Sequence, residues 1–390
     1  MSVCEIANGM KRLSMMDGEI DLFEGQYPVP QGVCYNSYII EDEKTALLDT
    51  ADHRFADVWL SHVEQALAGR PVDYLIVSHV EPDHSGAMAA LLARYPGLTV
   101  VGNAKTFSML ERFMPDVPIA QQRLVVCEGD TLCLGRRTLR FVMAPMVHWP
   151  EVMTTYEETE RLLFSADAFG RFGDADADAP WEDEARRYYA NIVGKYGAQV
   201  QALLKKAAAL DIAAVCPLHG PLLRGKALER AVELYGLWSC WAPQEKGVLI
   251  AYACFHGHTA EAAEYLAACL RESGERVALV DLSRVHRSYA VGEAFRYDRI
   301  VLAATTYDGK YAPAMQAFIQ SFKHKGLQNR TFALMENGSW GPLAAKLMRA
   351  ELEGVKNAVV LDAQVTIHSA MDDRCREAIK ALAAAISSVN

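Results

Sequence analysis

The rhythm of apolar and polar positions changes near residue 245. Before it, apolar runs are short and broken by turn residues: SYII (37–40), TALLDT (45–50), DYLIVS (73–78), LTVVG (98–102), LRFVMAP (139–145), RLLFSAD (161–167) and AAVCPLHG (213–220). Residues 55–69, 86–95 and 225–239 have helical spacing. This mixture predicts an αββα sandwich, with sheets inside and helices outside. The polar stretch 170–187 reads as a solvated surface loop. After APQEKG (242–247) the pattern becomes a regular alternation. VLIAYA (248–253) is an unbroken apolar run, as expected of a parallel strand buried on both faces. Strands at 276–283, 299–307, 331–338 and 358–363 follow, separated by amphipathic helices at 259–274, 314–327 and 341–354, with a closing helix at 378–387. Five strands alternating with helices predict an α/β doubly wound parallel sheet. The domains are therefore expected at 1–245 and 246–390.

Composition narrows the classes. Hydrophobic residues make up 51% and charged residues 23% of 390, enough apolar material for more than one core. Lys+Arg 39 against Asp+Glu 49 gives a net charge of −10, so no nucleic-acid partner is expected. The nine cysteines form no CxxC pair, which favours a reduced, cytoplasmic chain. The N-terminus lacks a continuous apolar segment, and no run approaches the roughly 20 apolar residues of a membrane span.

Two constellations carry chemistry. The strand DYLIVS runs into HVEPDHSG, which places His79, Glu81, Asp83 and His84 within six residues. Each is a metal-ligand type, and in extended backbone His79, Glu81 and Asp83 point to one side. Pro82 favours an extended Glu81. His148, Asp167 and His219 stand at later strand ends. Seven donors exceed one tetrahedral site and fit two metals sharing a carboxylate. A set of imidazoles and carboxylates suits iron without excluding zinc or manganese.

In the second half, CFHGHT joins the first strand to the first helix. Free N–H groups at a helix start favour a phosphate. Cys254, His256, Gly257, His258 and Thr259 form this loop. Neither GxGxxG nor a P-loop motif is present. TTYDGKYAP supplies Thr305, Tyr307, Asp308 and Gly309. ENGSWGP supplies Asn337, Gly338, Ser339 and Trp340. Three strand-end loops of this composition, in this order, favour FMN.

HVEPDHSG resembles the HxHxDH motif of the metallo-β-lactamase superfamily, with Glu81 in place of the second His. Together with HWPE, SADAFG, PLHGP, YNSYII, YYANI and the three flavin loops, it makes the chain resemble a flavodiiron protein (A-type flavoprotein) along nearly its whole length. The resemblance implies a metallo-β-lactamase-like diiron domain followed by a flavodoxin-like FMN domain. It implies two Fe per chain: His79, Glu81 and His148 on one, Asp83 and His219 on the other, Asp167 between them. His84 ligates in some members and turns away in others. Departures are Cys254 where Ser or Thr is usual, His258 where Asn is common, and Glu151 where Asp is frequent.

The family activity is reduction of O2 to water or of NO to N2O. O2 takes four electrons, two from ferrous ions and two from reduced FMN. The resemblance also implies a head-to-tail homodimer, or a dimer of dimers. The chain carries no rubredoxin-like CxxC pairs, so an external donor such as rubredoxin is expected. Two other functions remain open: a superfamily hydrolase with an appended flavodoxin-like domain, and an electron carrier with a vestigial metal half. Glu81 speaks against the first and the complete donor set against the second. Tyr188, Tyr189 and Asn191 are expected to pack and anchor a loop, and His53 to lie at the surface.

Overall fold

The computed structural model describes all residues except 1, 118, 120, 121, 178 and 390. The chain divides into two compact units. One comprises Met1–Ala185 and Ala198–Gly236, the other Arg186–Gly197 and Leu237–Asn390.

The first unit contains two sheets. Across one lie, in order, Ser2–Ala7, Met10–Asp17, Val33–Glu41, Thr45–Leu48, Tyr74–Ile76, Thr99–Gly102 and Arg123–Val125. Its first four strands pair antiparallel and the remainder join in parallel. Across the other lie Thr131–Cys133, Thr138–Met143, Met153–Glu157, Leu162–Phe164, Ala214–Cys216 and Leu223–Arg224. Helix Ala56–Leu67 buries Trp59, Val63 and Leu67, one apolar stripe at four-residue spacing. The strands at 10–17 and 153–157 escape the sequence pattern because polar residues such as Arg12 and Thr154 occupy buried positions in them, and the strand at 2–7 escapes it because only Ile6 is buried there.

The stretch 170–187 is only partly a loop. Trp181–Tyr188 is helical, with Glu182, Asp183 and Glu184 in its first turn and Arg186 and Arg187 in its last. That order of charges suits the helix dipole, so a run that reads as solvated polarity is also a helix-stabilising pattern. Asp176, in the part that remains loop, accepts hydrogen bonds from Ser2 and Arg12.

The second unit is built on five parallel strands in the order Val277–Asp281, Glu245–Ala253, Tyr297–Tyr307, Thr331–Asn337 and Val359–Ile367. Val248, Ile250, Val301, Met335 and Val365 pack with Leu266, Leu270, Ile379 and Ile386 from two helices. A further helix, Arg287–Arg296, lies between the strands Val277–Asp281 and Tyr297–Tyr307, where the sequence pattern predicts none, and completes the alternation. Its buried face is mostly small, with Ala290, Val291, Ala294 and Phe295, so periodicity gives it little signal.

Residues 186–197 pack into this unit. Arg186 Nε donates to the Gly292 carbonyl at 3.2 Å, and the Arg187 guanidinium stacks on Tyr289 at 4.3 Å. Asn191 Nδ2 donates to the Ser288 carbonyl at 3.1 Å, and Tyr188 and Tyr189 are buried, so YYANI packs and anchors here. Among the described residues no helix is long and apolar enough to cross a membrane.

Candidate functional site

The seven metal-ligand candidates of the first unit come together. His79 follows the strand Tyr74–Ile76. Glu81 is extended, at φ −54° and ψ 138°, and caps a single helical turn, Pro82–Ser85. The backbone does not stay extended through Asp83. Pro82 sits at the first helical position, which its fixed φ favours, and the chain turns there. Asp83 and His84 are thereby aimed away from His79 and Glu81. His148, Asp167 and His219 arrive from the ends of Thr138–Met143, Leu162–Phe164 and Ala214–Cys216.

Two groups of donors result: His79, Glu81, His148 and Asp167, and Asp83, His84 and His219. Glu81 Oε2 lies 3.0 Å from His79 Nε2 and 3.2 Å from His148 Nε2. Asp167 faces both groups. Its Oδ2 is 3.0 Å from His148 Nε2 and 3.8 Å from His79 Nε2. Its Oδ1 is 3.1 Å from His84 Nε2 and 3.7 Å from His219 Nε2. Asp83 Oδ2 completes the second group at 3.4 Å from His84 and 3.5 Å from His219.

The surroundings fix the imidazoles. His219 Nδ1 lies 2.8 Å from the Cys34 carbonyl, which can only accept, so Nδ1 carries the proton and Nε2 offers a lone pair. That lone pair points at His84 Nε2, 3.1 Å away. His79 Nδ1 is held by Glu151 at 2.8 Å. Both oxygens of Asp83 are buried without a hydrogen-bond donor. Buried lone pairs and carboxylate oxygens crowded together in this way are a donor set for cations, and they fit a pair of metal ions.

Electrostatics agree. Burial pushes the Asp83 carboxyl up to about 7 and the His219 imidazole down to about 4. Burial also disfavours charge on His148, but its hydrogen bonds to Asp167 and Glu81 prevail and raise it to about 9. Glu81 is held below its usual range, because His148 and His79 outweigh its desolvation.

Asp49 was not among the sequence candidates. Its Oδ1 accepts from the backbone N–H of Ser78 at 2.8 Å and of His79 at 3.2 Å, anchoring the loop at its first donor. The available signal is its place at the end of TALLD, next to the strand that delivers His79. His53 has a side chain 75% exposed and stays outside the cluster.

The second unit carries a cleft of about 930 Å³ at the carboxyl ends of its strands. Twelve of the thirteen flavin-loop candidates line it; Gly257 does not, but lies within the same loop. Phe255, Thr306, Gly341, Leu343 and Ser369 also line it. Ser369 follows the fifth strand, whose end belongs to the same edge as the others, and that position was the missed signal. Gly257 has φ +95°, and helix His258–Glu272 starts there without a side-chain cap, leaving first-turn N–H groups for an anion. Thr259 and Thr305 hydroxyls meet at 3.1 Å and tie the first and second loops together. Tyr307 and Trp340 stand 47% and 96% exposed, apolar faces available to a flat ring. The cleft thus fits a phosphorylated aromatic group.

Residues 33–220 match a family model described as ODP family beta lactamase, and residues 249–342 match one described as flavodoxin domain. The anaerobic nitric oxide reductase flavorubredoxin of Aliivibrio fischeri is 30% identical over 353 residues, covering 86% of this chain and 69% of that one. The chain belongs to the flavodiiron family. The rubredoxin-oxygen oxidoreductase of Megalodesulfovibrio gigas is 29% identical over 367 residues, covering 91% of this chain and 90% of that one. The solved rubredoxin oxygen:oxidoreductase of Desulfovibrio gigas superposes with a TM-score of 0.91 at 26% identity, over 99% of this chain and 98% of that one. A flavodiiron protein from Giardia intestinalis shares the fold, with a TM-score of 0.91 at 23% identity, over 99% and 96%. The expected fold, a metallo-β-lactamase-like domain and then a flavodoxin-like one, is therefore the fold of this flavodiiron chain.

Proposed function

We propose that this chain is an oxidoreductase that reduces O2 to water, NO to N2O, or both. Its cofactors are FMN and a non-haem diiron centre, and electrons reach it from an external donor such as rubredoxin. The observation that carries the reading is Asp167, whose two oxygens face two separate donor groups in a chain that also holds a cleft lined by the three flavin-loop segments.

His79, Glu81 and His148 would hold one iron, Asp83, His84 and His219 the other, and Asp167 would be shared. Cys254, His256, Gly257, His258 and Thr259 would receive the FMN phosphate. The loops Thr305–Gly309 and Asn337–Trp340 would flank its ring. The irons and FMN supply the four electrons that O2 requires. The chain's own residues fix the donors: the Cys34 carbonyl orients His219, and Glu151 orients His79. The relatives named as reductases give no support to the hydrolase alternative.

Metal and flavin analysis of the purified chain should give about two iron and one FMN, followed by O2 or NO consumption after anaerobic reduction. Zinc alone with esterase activity, or no flavin, overturns the reading. Three finer points belong to it: domains divided at 245/246, a cytoplasmic location, and a head-to-tail homodimer or dimer of dimers. A dilute monomer with full turnover would exclude the assembly.

A further inference from the structure

The geometry points to Glu151 as the residue that makes the two metal positions electronically unequal. It is a positioning residue that acts through His79. The inference rests on the diiron reading above and deepens it.

Glu151 is completely buried. Its Oε1 accepts from His79 Nδ1 at 2.8 Å and from the Val80 backbone N–H at 2.8 Å. Its own carbonyl accepts from Asn103 Nδ2 at 2.6 Å, so the residue is pinned at both ends. Oε2 has no hydrogen-bond donor among the described residues. Among the described residues, His79 is the only charged partner recorded for this carboxylate.

The imidazoles on the other side have different support. His219 Nδ1 is backed by the neutral Cys34 carbonyl at 2.8 Å, and His84 Nδ1 has no hydrogen-bond partner among the described residues. A carboxylate draws the Nδ1 proton more strongly than a carbonyl does, and so raises the basicity of Nε2. The buried negative charge also favours the more highly charged state of a nearby metal. The metal position of His79, Glu81 and His148 is therefore the stronger electron donor of the two, and Glu151 is the cause.

The test uses the full-length chain, Glu151→Gln and Glu151→Asp, each loaded with ferrous iron under anaerobic conditions. Glutamine keeps an oxygen for His79 and Val80 and removes only the charge. Iron affinity at one position should then fall about 10- to 100-fold, and one of the two iron potentials should shift positive in a mediated redox titration read by electron paramagnetic resonance. Aspartate keeps the charge and should restore the potential at least in part. Circular dichroism and thermal melting of the whole chain serve as the folding control for the unit that holds Glu151, and FMN content controls for the other.

Wild-type iron affinity and unchanged potentials in Glu151→Gln overturn the inference. So does Glu151→Asp shifting the potential as far as Gln, since shape rather than charge would then matter; if Glu151→Gln does not fold, Glu151→Asp is compared with the wild type, where a potential close to wild type supports the inference and a large positive shift overturns it. A wild-type chain that binds no iron overturns the diiron reading itself, a different and separately visible result.

Discussion

Six of the seven metal donors are buried, and Glu81 is nearly so. Around the flavin cleft, by contrast, Trp340 is 96% exposed, Tyr307 47% and Phe255 46%. The metal pocket gathers carboxylates and imidazoles that are buried and lean on one another, Glu81 and Asp167 each meeting His79 and His148. The flavin cleft is a rim of loops that combines first-turn backbone N–H groups with hydroxyl, amide and imidazole side chains. Substitutions should therefore act nearly all-or-none at the first site and by degrees at the second.

The sharpest test of that contrast is Asp167→Ala. Losing the carboxylate that faces both groups should lower affinity for both irons by more than about 100-fold, with FMN content intact. One tightly held iron per chain would show that the two groups are independent. Acidity comes next. His148 titrates near 9 and Asp83 near 7, so below these values a metal ion must displace their protons. Iron affinity should drop at least about tenfold per unit between pH 7 and pH 6, while FMN affinity changes less; competition with a chelator measures it.

Effects at the cleft should be smaller. Gly257→Ala places a side chain at φ +95°, a strain of about 1–3 kcal/mol. The FMN dissociation constant, read by fluorescence quenching, should rise about tenfold. Trp340→Ala removes one aromatic face worth about 1 kcal/mol and should raise it about fivefold. If either change strips iron as well, the two sites are not as separate in construction as the comparison holds.

The metal donors were legible because four of them crowd one six-residue loop and three more sit at strand ends, a local pattern that needs no pairing information. Their partition into two groups was not. It depends on Pro82 starting a helical turn where extended backbone was expected. Asp49 was missed for a related reason, since its partners Ser78 and His79 lie 29 and 30 residues away and nothing in TALLDT announces them. In the second unit the strand alternation was plain because its three central strands are apolar and mostly buried on both faces. Helix Arg287–Arg296 was hidden by its small residues, and Ser369 by the plain sequence of the loop that carries it.

One consequence concerns inheritance. Neither compact unit is encoded by one uninterrupted stretch, because Arg186–Gly197 serves the second while its flanks serve the first. A gene crossover near codon 245 would join a resident Arg186 to an incoming Gly292 and Glu293, the two residues its guanidinium now meets at 3.2 Å and 2.8 Å. Halves exchanged between distant relatives should carry this mismatch, and a working chimera should need codons 186–197 to travel with the downstream half.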